Sequence, residues 1–185
     1  SPDYQALDET VSSCGASLAN SWAGYETREL DRFKLFRHMI PETINSILAE
    51  RKKQIPGLHK LGTDMAVPDE YLMEIWELYR SQCEALQLEW IAFGHIGNNH
   101  IHVNILPKTM EDLKKGMELY GLFAQKVVEM GGAVSAEHGI GKIKSKFLKL
   151  MFSPAQIDQM KTVKDAMDPQ GILNPNDIFS LEGSR

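Results

Sequence analysis

The chain has 185 residues, enough for one sizeable core, and its 43% hydrophobic and 24% charged residues are the proportions of an ordinary globular domain. No apolar run approaches the roughly 20 residues that a membrane-spanning helix requires. A net charge of −5, with lysines interleaved among acids, argues against a nucleic-acid protein, so an anionic substrate must be met by a local basic site.

Along the chain, Tyr4 to Ala19 carry a weak pattern, and SSCGAS reads as a turn or loop. In TRELDRFKLFRHMIPETINSILAERKKQ, Leu30, Phe33, Leu35, Phe36, Met39 and Ile40 stand at helical spacing. Pro41 predicts two helical pieces, one on either side, because proline lacks the N–H that a continuing helix uses. Residues 59 to 67, HKLGTDMAV, read as a strand. PDEYLMEIWELYRSQCEAL opens with proline and acids, as helix N-termini do, and sets Leu72, Ile75, Trp76 and Tyr79 on one face. EWIAFG, 89 to 94, and HIHVNIL, 100 to 106, read as strands joined by a Gly/Asn turn. TMEDLKKGMELYGLFAQKVVEMGG is a long amphipathic helix ended by Gly131 and Gly132, and AVSAE, 133 to 137, is the last strand. Ser153 and Pro154 cap and open a helix through about Met167, and DPQGILNPNDIF then gives turns and an extended tail.

The order β-α-β-β-α-β predicts the α+β class, as a ferredoxin-like antiparallel sheet with helices on one face and additional N- and C-terminal helices. Three parts follow: a helical part over 1–58, the ferredoxin-like core over 59–138, and a C-terminal helical segment and tail over 139–185. Cys14 and Cys83 match no metal spacing and read as reduced thiols of a cytoplasmic protein, with a single disulfide as the alternative. A start at Ser1, with no initiator methionine and no charged and apolar leader, reads as a piece cut from something longer.

GHIGNNHIHVNILP, 94 to 107, places three of the six histidines within eight positions. A strand period of two sends His100, His102 and Asn104 to one face and Ile101, Val103 and Ile105 to the other. If GNN reverses the chain, His95 returns toward His102, and two such nitrogens suit a divalent ion of the zinc or manganese kind. Solvated histidines on a surface strand are the alternative. In GGAVSAEHGIGKIKSK, Glu137 and His138 end the predicted last strand, and a carboxylate there completes a His, His, Glu site. The alternatives are a solvated acid and a merely glycine-rich loop, since GIGK lacks the phosphate-loop spacing GxxxxGK[ST].

GHIGNNHIHVNIL, then SAEHGIGKIKSKFL, then MDPQGILNPNDIF, together with FRHMIPETIN and KLGTDMAVP, resemble the C-terminal part of FAD-linked 2-hydroxy-acid dehydrogenases of the vanillyl-alcohol-oxidase type. That group includes D-lactate dehydrogenases, the glycolate oxidase flavin subunit and D-2-hydroxyglutarate dehydrogenases. The resemblance implies a two-part enzyme whose N-terminal FAD-binding domain is the partner of this chain, which alone is inactive. Matching positions imply His95, His102 and Glu137 as metal ligands and His138 as the general base, against the flavin. They imply Arg37 as the grip on the substrate carboxylate, with Asn104 also contacting substrate, Lys60 as a second cation and Asn174 at the flavin edge. The implied cofactors are FAD and a divalent metal, zinc or manganese, and the implied substrate is a small D-2-hydroxy acid such as lactate or glycolate. The electron acceptor, homodimer formation and association with the inner face of a membrane stay open.

The family pattern GHxGDGNxH departs here to Asn98, Asn99 and His100. The turn must then tolerate an asparagine at positive φ. His100 is a further ligand, a polar contact or a solvated bystander. Pro41 stands where some relatives place a substrate-contacting threonine, and NPND replaces the commoner NPGK. A metal-dependent hydrolase using the same ligands, and a ferredoxin-like module without catalysis, are the other function classes.

Overall fold

In the computed structural model, which describes residues 2–20, 22 and 24–179, the chain divides into two units, Ser1–Ile44 and Asn45–Arg185. In the first unit, helix α1 (Pro2–Ser13) forms where the sequence shows only a weak pattern. Its polar residues bond within the helix, Thr10 Oγ1 donating to the Ala6 carbonyl and Ser13 Oγ to that of Thr10, each at 2.8 Å, so no apolar stripe marks it. Helix α2 (Thr27–Gln54) starts where Glu29 Oε2 accepts from the Tyr25 and Glu26 N–H groups at 3.0 and 3.3 Å. Trp22 packs on Phe33 with ring centres 4.1 Å apart. Contrary to the expectation of two pieces, α2 is one helix with Pro41 inside it. One proline costs about 3 kcal/mol in a helix interior, and the strong helix formers of LAERKKQ downstream offset part of that.

The second unit is built around β4 (His100–Ile105), which pairs antiparallel with β3 (Trp90–His95) on one side. On its other side lie two short strands, β1 (Leu61–Gly62) and β2 (Met65–Ala66), again antiparallel. The predicted single strand 59–67 is thus two, yet both keep one register, Leu61 opposite Ile105 and Met65 opposite Ile101, so no residue is inserted between them. Thr63 causes the break. Its N–H donates to the Val103 carbonyl at 2.9 Å, but its hydroxyl, not its carbonyl, accepts the Val103 N–H at 2.9 Å. The freed carbonyl is turned to His102 Nδ1, at 3.0 Å.

The predicted last strand, 133–137, is corrected by the structure: Ala133 makes a single antiparallel bridge to Ala66, and the chain then leaves the sheet. Small Ala and Ser residues offer little to hold a strand, and the Ala136 N–H instead donates to the Asp64 carbonyl at 2.9 Å. The α+β class stands, with β-α-β-β-α order and an antiparallel sheet.

Helices α3 (Leu72–Ala85) and α4 (Met110–Glu129) pack Ile75, Tyr79, Cys83, Phe123 and Val127 against Val103 and Ile105 of β4. Tyr79 and Phe123 meet edge to face at 4.7 Å, and each large apolar side chain so buried contributes about 1.5–3 kcal/mol. A capping box at Thr109 and Asp112 starts α4, and Gly131, at φ 78, follows its end as the sequence predicts. Arg51, at the end of α2, donates to the Leu106 carbonyl and to Glu89 Oε1, both at 2.7 Å, fixing that helix end to the sheet. Beyond the sheet follow the short helices α5 (Gly141–Lys144) and α6 (Leu148–Met151), then α7 (Pro154–Met167) with the expected cap at Ser153. Both cysteines are free thiols, Cys14 exposed and Cys83 buried. Among the described residues no helix is long and apolar enough to cross a membrane.

Candidate metal and active site

The two faces of β4 have different fates. Val103 and Ile105 enter the core beneath α3 and α4, while His100, His102 and Asn104 lie on the opposite face, where all three are nevertheless buried. Covering that face is the segment after Ala133, held by Asp64, which stands opposite His102 in the register of β1 and β2 and is itself fully buried.

Asp64 ties the segment down through several bonds. Its Oδ1 accepts the Glu137 N–H at 3.2 Å, and its Oδ2 accepts the His138 N–H at 3.0 Å and the Ser135 hydroxyl at 3.1 Å. The Lys144 ammonium, also buried, donates to Asp64 Oδ2, to Ser135 Oγ at 3.0 Å and to the Gly139 carbonyl at 3.1 Å. Burial alone would raise the Asp64 carboxyl, but Lys144 and the His138 and Glu137 N–H groups outweigh it and hold the group down at about 2. The acid is therefore ionised and spent on positioning.

That positioning puts the Glu137 carboxylate against three imidazoles. His95 Nε2 is 3.3 Å from its Oε1, His100 Nδ1 is 3.5 Å from the same oxygen, and His102 Nε2 is 4.0 Å from Oε2. The ligand atoms of these four side chains all lie within 4.8 Å of one another. Imidazole nitrogens with a carboxylate are the donors that zinc, manganese and iron take, so the residues present fit a divalent ion. Burial lowers the His102 imidazole below its ordinary range, favouring the neutral ring, while the Thr63 carbonyl opposes it and fixes Nδ1 as the protonated nitrogen. The free lone pair of His102 is then Nε2, on the Glu137 side.

The cluster is open on one side. Side chains of His95 and Glu137 are 38% and 44% exposed, and that of His138 is 62% exposed, whereas His100 and His102 close the floor. His138 stacks on His102, rings parallel within 10° at 5.3 Å, and its Nδ1 is 3.8 Å from Asp64 Oδ1. The hairpin that brings His95 beside His100 is tight. A Cβ on Gly94 would lie 2.0 Å from the His100 carbonyl oxygen, so only glycine allows β3 this close. Asn99 adopts φ 49, the positive value expected of an asparagine at this turn.

Of the residues singled out from sequence, His95, His102, Glu137 and His138 come together, and Asn104 lies on the same strand face. Lys60 is exposed just before β1, Asn174 is exposed at φ 44 in the C-terminal turns, and Arg37 is exposed on α2 in the first unit. His100 is 1% exposed, which removes the solvated reading. Sequence reasoning missed Asp64, Thr63, Ser135 and Lys144. The available signal was an acid directly before the apolar MAV of a predicted strand, since a buried charge needs a partner.

Comparison with known proteins matches residues 4–178 to the family described as FAD linked oxidases, C-terminal domain. The chain is 29% identical over 182 residues to a D-2-hydroxyglutarate dehydrogenase of Stutzerimonas stutzeri, covering 84% of the chain and 38% of that protein. It is 31% identical over 182 residues to a D-lactate dehydrogenase of Archaeoglobus fulgidus, covering 95% of the chain and 38% of that protein. It is also 25% identical over 124 residues to the glycolate oxidase subunit GlcD of Bacillus subtilis, 66% of the chain and 26% of the relative. The chain thus spans well under half the length of these relatives.

Proposed function

The chain belongs to the family of FAD linked oxidase C-terminal domains, and from that membership we propose that it is the substrate- and ion-binding part of a flavin-dependent dehydrogenase of a small D-2-hydroxy acid. The observation that carries the reading is the open cluster of His95, His102 and Glu137, with His138 stacked beside it. His95, His102 and Glu137 hold a divalent ion, zinc or manganese in kind. When bound, the ion supplies Lewis-acid polarisation of the substrate hydroxyl, and FAD, carried by a further domain, supplies the hydride acceptor.

The chain's own residues do the rest. His102, neutral and oriented by Thr63, presents Nε2 without moving. His138, on the exposed side, takes the hydroxyl proton as the hydrogen at C2 leaves with its electron pair, so the alcohol becomes the 2-oxo acid. Asp64 fixes the backbone that carries both Glu137 and His138, and so sets the base relative to the ligands. Asn104 and Lys60 contact the substrate, Asn174 and His138 face the flavin, and Arg37 pairs with the substrate carboxylate in the bidentate geometry that only a guanidinium offers. For Arg37, Lys60 and Asn174 these roles rest on the family resemblance alone. A hydrolase reading needs a spare carboxylate base, and Asp64 is already committed to Lys144 and two N–H groups.

The test is to express the whole reading frame that carries this chain and to screen small D- and L-2-hydroxy acids with an artificial electron acceptor. Turnover of at least one D-acid, lost on chelation and restored by a divalent ion, is expected. Purified, flavin-loaded protein that turns over no hydroxy acid would sink the proposal.

A further inference from the structure

His100 is the one histidine of the hairpin that the family pattern does not supply, and its surroundings are unusual for a buried imidazole. Its ring lies between two carboxylates, Nδ1 3.5 Å from Glu137 Oε1 and Nε2 3.0 Å from Asp64 Oδ1. Despite that distance Nε2 is off the line of a hydrogen bond and, among buried side-chain atoms, is left without a hydrogen-bond partner. A neutral imidazole carries one N–H and one lone pair, and ionised carboxylates only accept. In either tautomer of the neutral ring, one nitrogen then turns a lone pair toward a carboxylate oxygen, in a place where water does not reach, so a positive charge is needed there, on the ring itself or on a bound ion.

The convergence of further imidazoles on Glu137 favours a bound ion. Three nitrogens, His95 Nε2, His100 Nδ1 and His102 Nε2, face that one carboxylate at 3.3, 3.5 and 4.0 Å. Donors about 2.1 Å from a common ion lie about 3.0–3.4 Å apart, so the His95 and His100 separations are close to the edges of a coordination shell, while that of His102 is longer. We propose that His100 is a fourth protein ligand through Nδ1, leaving the ring proton on Nε2, 3.0 Å from the Asp64 carboxylate, and making the site three histidines and one glutamate. The inference rests on the metal reading above and extends it. It also gives the Lys144-held Asp64 a second task, as a negative charge beside the protonated nitrogen of a ligating histidine.

Four protein donors have a consequence for the ion. A strictly four-coordinate ion would be closed to substrate, whereas one that accepts six ligands keeps two positions for the hydroxyl and carboxylate oxygens of a hydroxy acid. The site therefore takes a six-coordinate divalent ion of the manganese or iron type in preference to tetrahedral zinc.

Chelator-stripped protein is titrated with Co(II) and Mn(II), following heat of binding and the visible absorption of Co(II). One ion per chain and the weak absorption of five- or six-coordinate cobalt are expected. His100→Asn should weaken Co(II) binding by about tenfold or more and alter its spectrum. Should that variant fail to fold, pulsed electron–nuclear spectroscopy of the unaltered protein loaded with Mn(II) counts coordinated imidazoles directly, and three are expected. Unchanged affinity and spectrum in a folded His100→Asn variant, or a count of two, overturns the fourth ligand and leaves the His95, His102 and Glu137 site standing. An intense tetrahedral cobalt spectrum overturns the six-coordinate assignment. No binding to the unaltered protein at all overturns the metal reading beneath it.

Discussion

Lys144 and Asp64, 80 residues apart, meet as a buried ion pair beneath the Glu137–His138 loop, both side chains less than a tenth exposed. Lys144 stands at the end of the short helix α5, and Asp64 between β1 and β2, so the pair fastens the covering segment to the sheet. Removing one partner leaves the other charged without compensation. Asp64→Asn is expected to lower unfolding free energy by about 3–5 kcal/mol in urea titration. Adding Lys144→Met should recover much of that loss, because no charge then stays unpaired. A double variant less stable than Asp64→Asn would contradict the pair.

Thr63 substitutes its hydroxyl for a ladder carbonyl, which leaves that carbonyl for His102. Thr63→Val keeps the shape and removes the acceptor of the Val103 N–H. A cost of about 1–3 kcal/mol is expected, together with weaker metal binding, because the Val103 N–H then competes with His102 for the Thr63 carbonyl. Loss of stability with metal affinity untouched would show that the hydroxyl is not what leaves the carbonyl to His102.

The two thiols should behave differently. Burial pushes the Cys83 thiol up to about 11, aided by Glu84, while Cys14 is exposed. One thiol per native chain should react with a disulfide reagent at pH 8, and two after denaturation. Because the folded-state value lies above the unfolded one, this group's contribution to stability is complete below about pH 8.5 and is lost as pH rises toward 11. Fast reaction of both thiols in native protein would contradict the burial of Cys83.

On the proposed reading, with His138 as the proton acceptor, His138→Ala in the flavin-loaded enzyme should lower kcat by about 10²–10⁴-fold with little change in KM, since that group acts in the transition state. His102→Ala should also lower turnover by orders of magnitude with the fold intact. A His138 variant changed only in KM would assign that residue to binding.

What the sequence by itself determined is whatever a local pattern encodes. Ser153 with Pro154, Thr109 with Asp112, and Gly131 mark helix ends by capping chemistry that needs no distant partner, and the alternation of HIHVNI assigns its two faces. His95, His102 and Glu137 were legible as candidate ligands from residue type and the expectation of a hairpin. The remaining features depend on groups far apart in the chain. The break at Thr63, the reduction of residues 133–137 to one bridge, and the choice of Lys144 over its neighbours Lys142 and Lys146 each turn on a bond to a distant partner. No periodicity records such a bond. The burial of His100 is the clearest case, because an imidazole on a strand is solvated or enclosed according to what covers it, and here the cover is a loop some forty residues downstream, fastened by a buried aspartate.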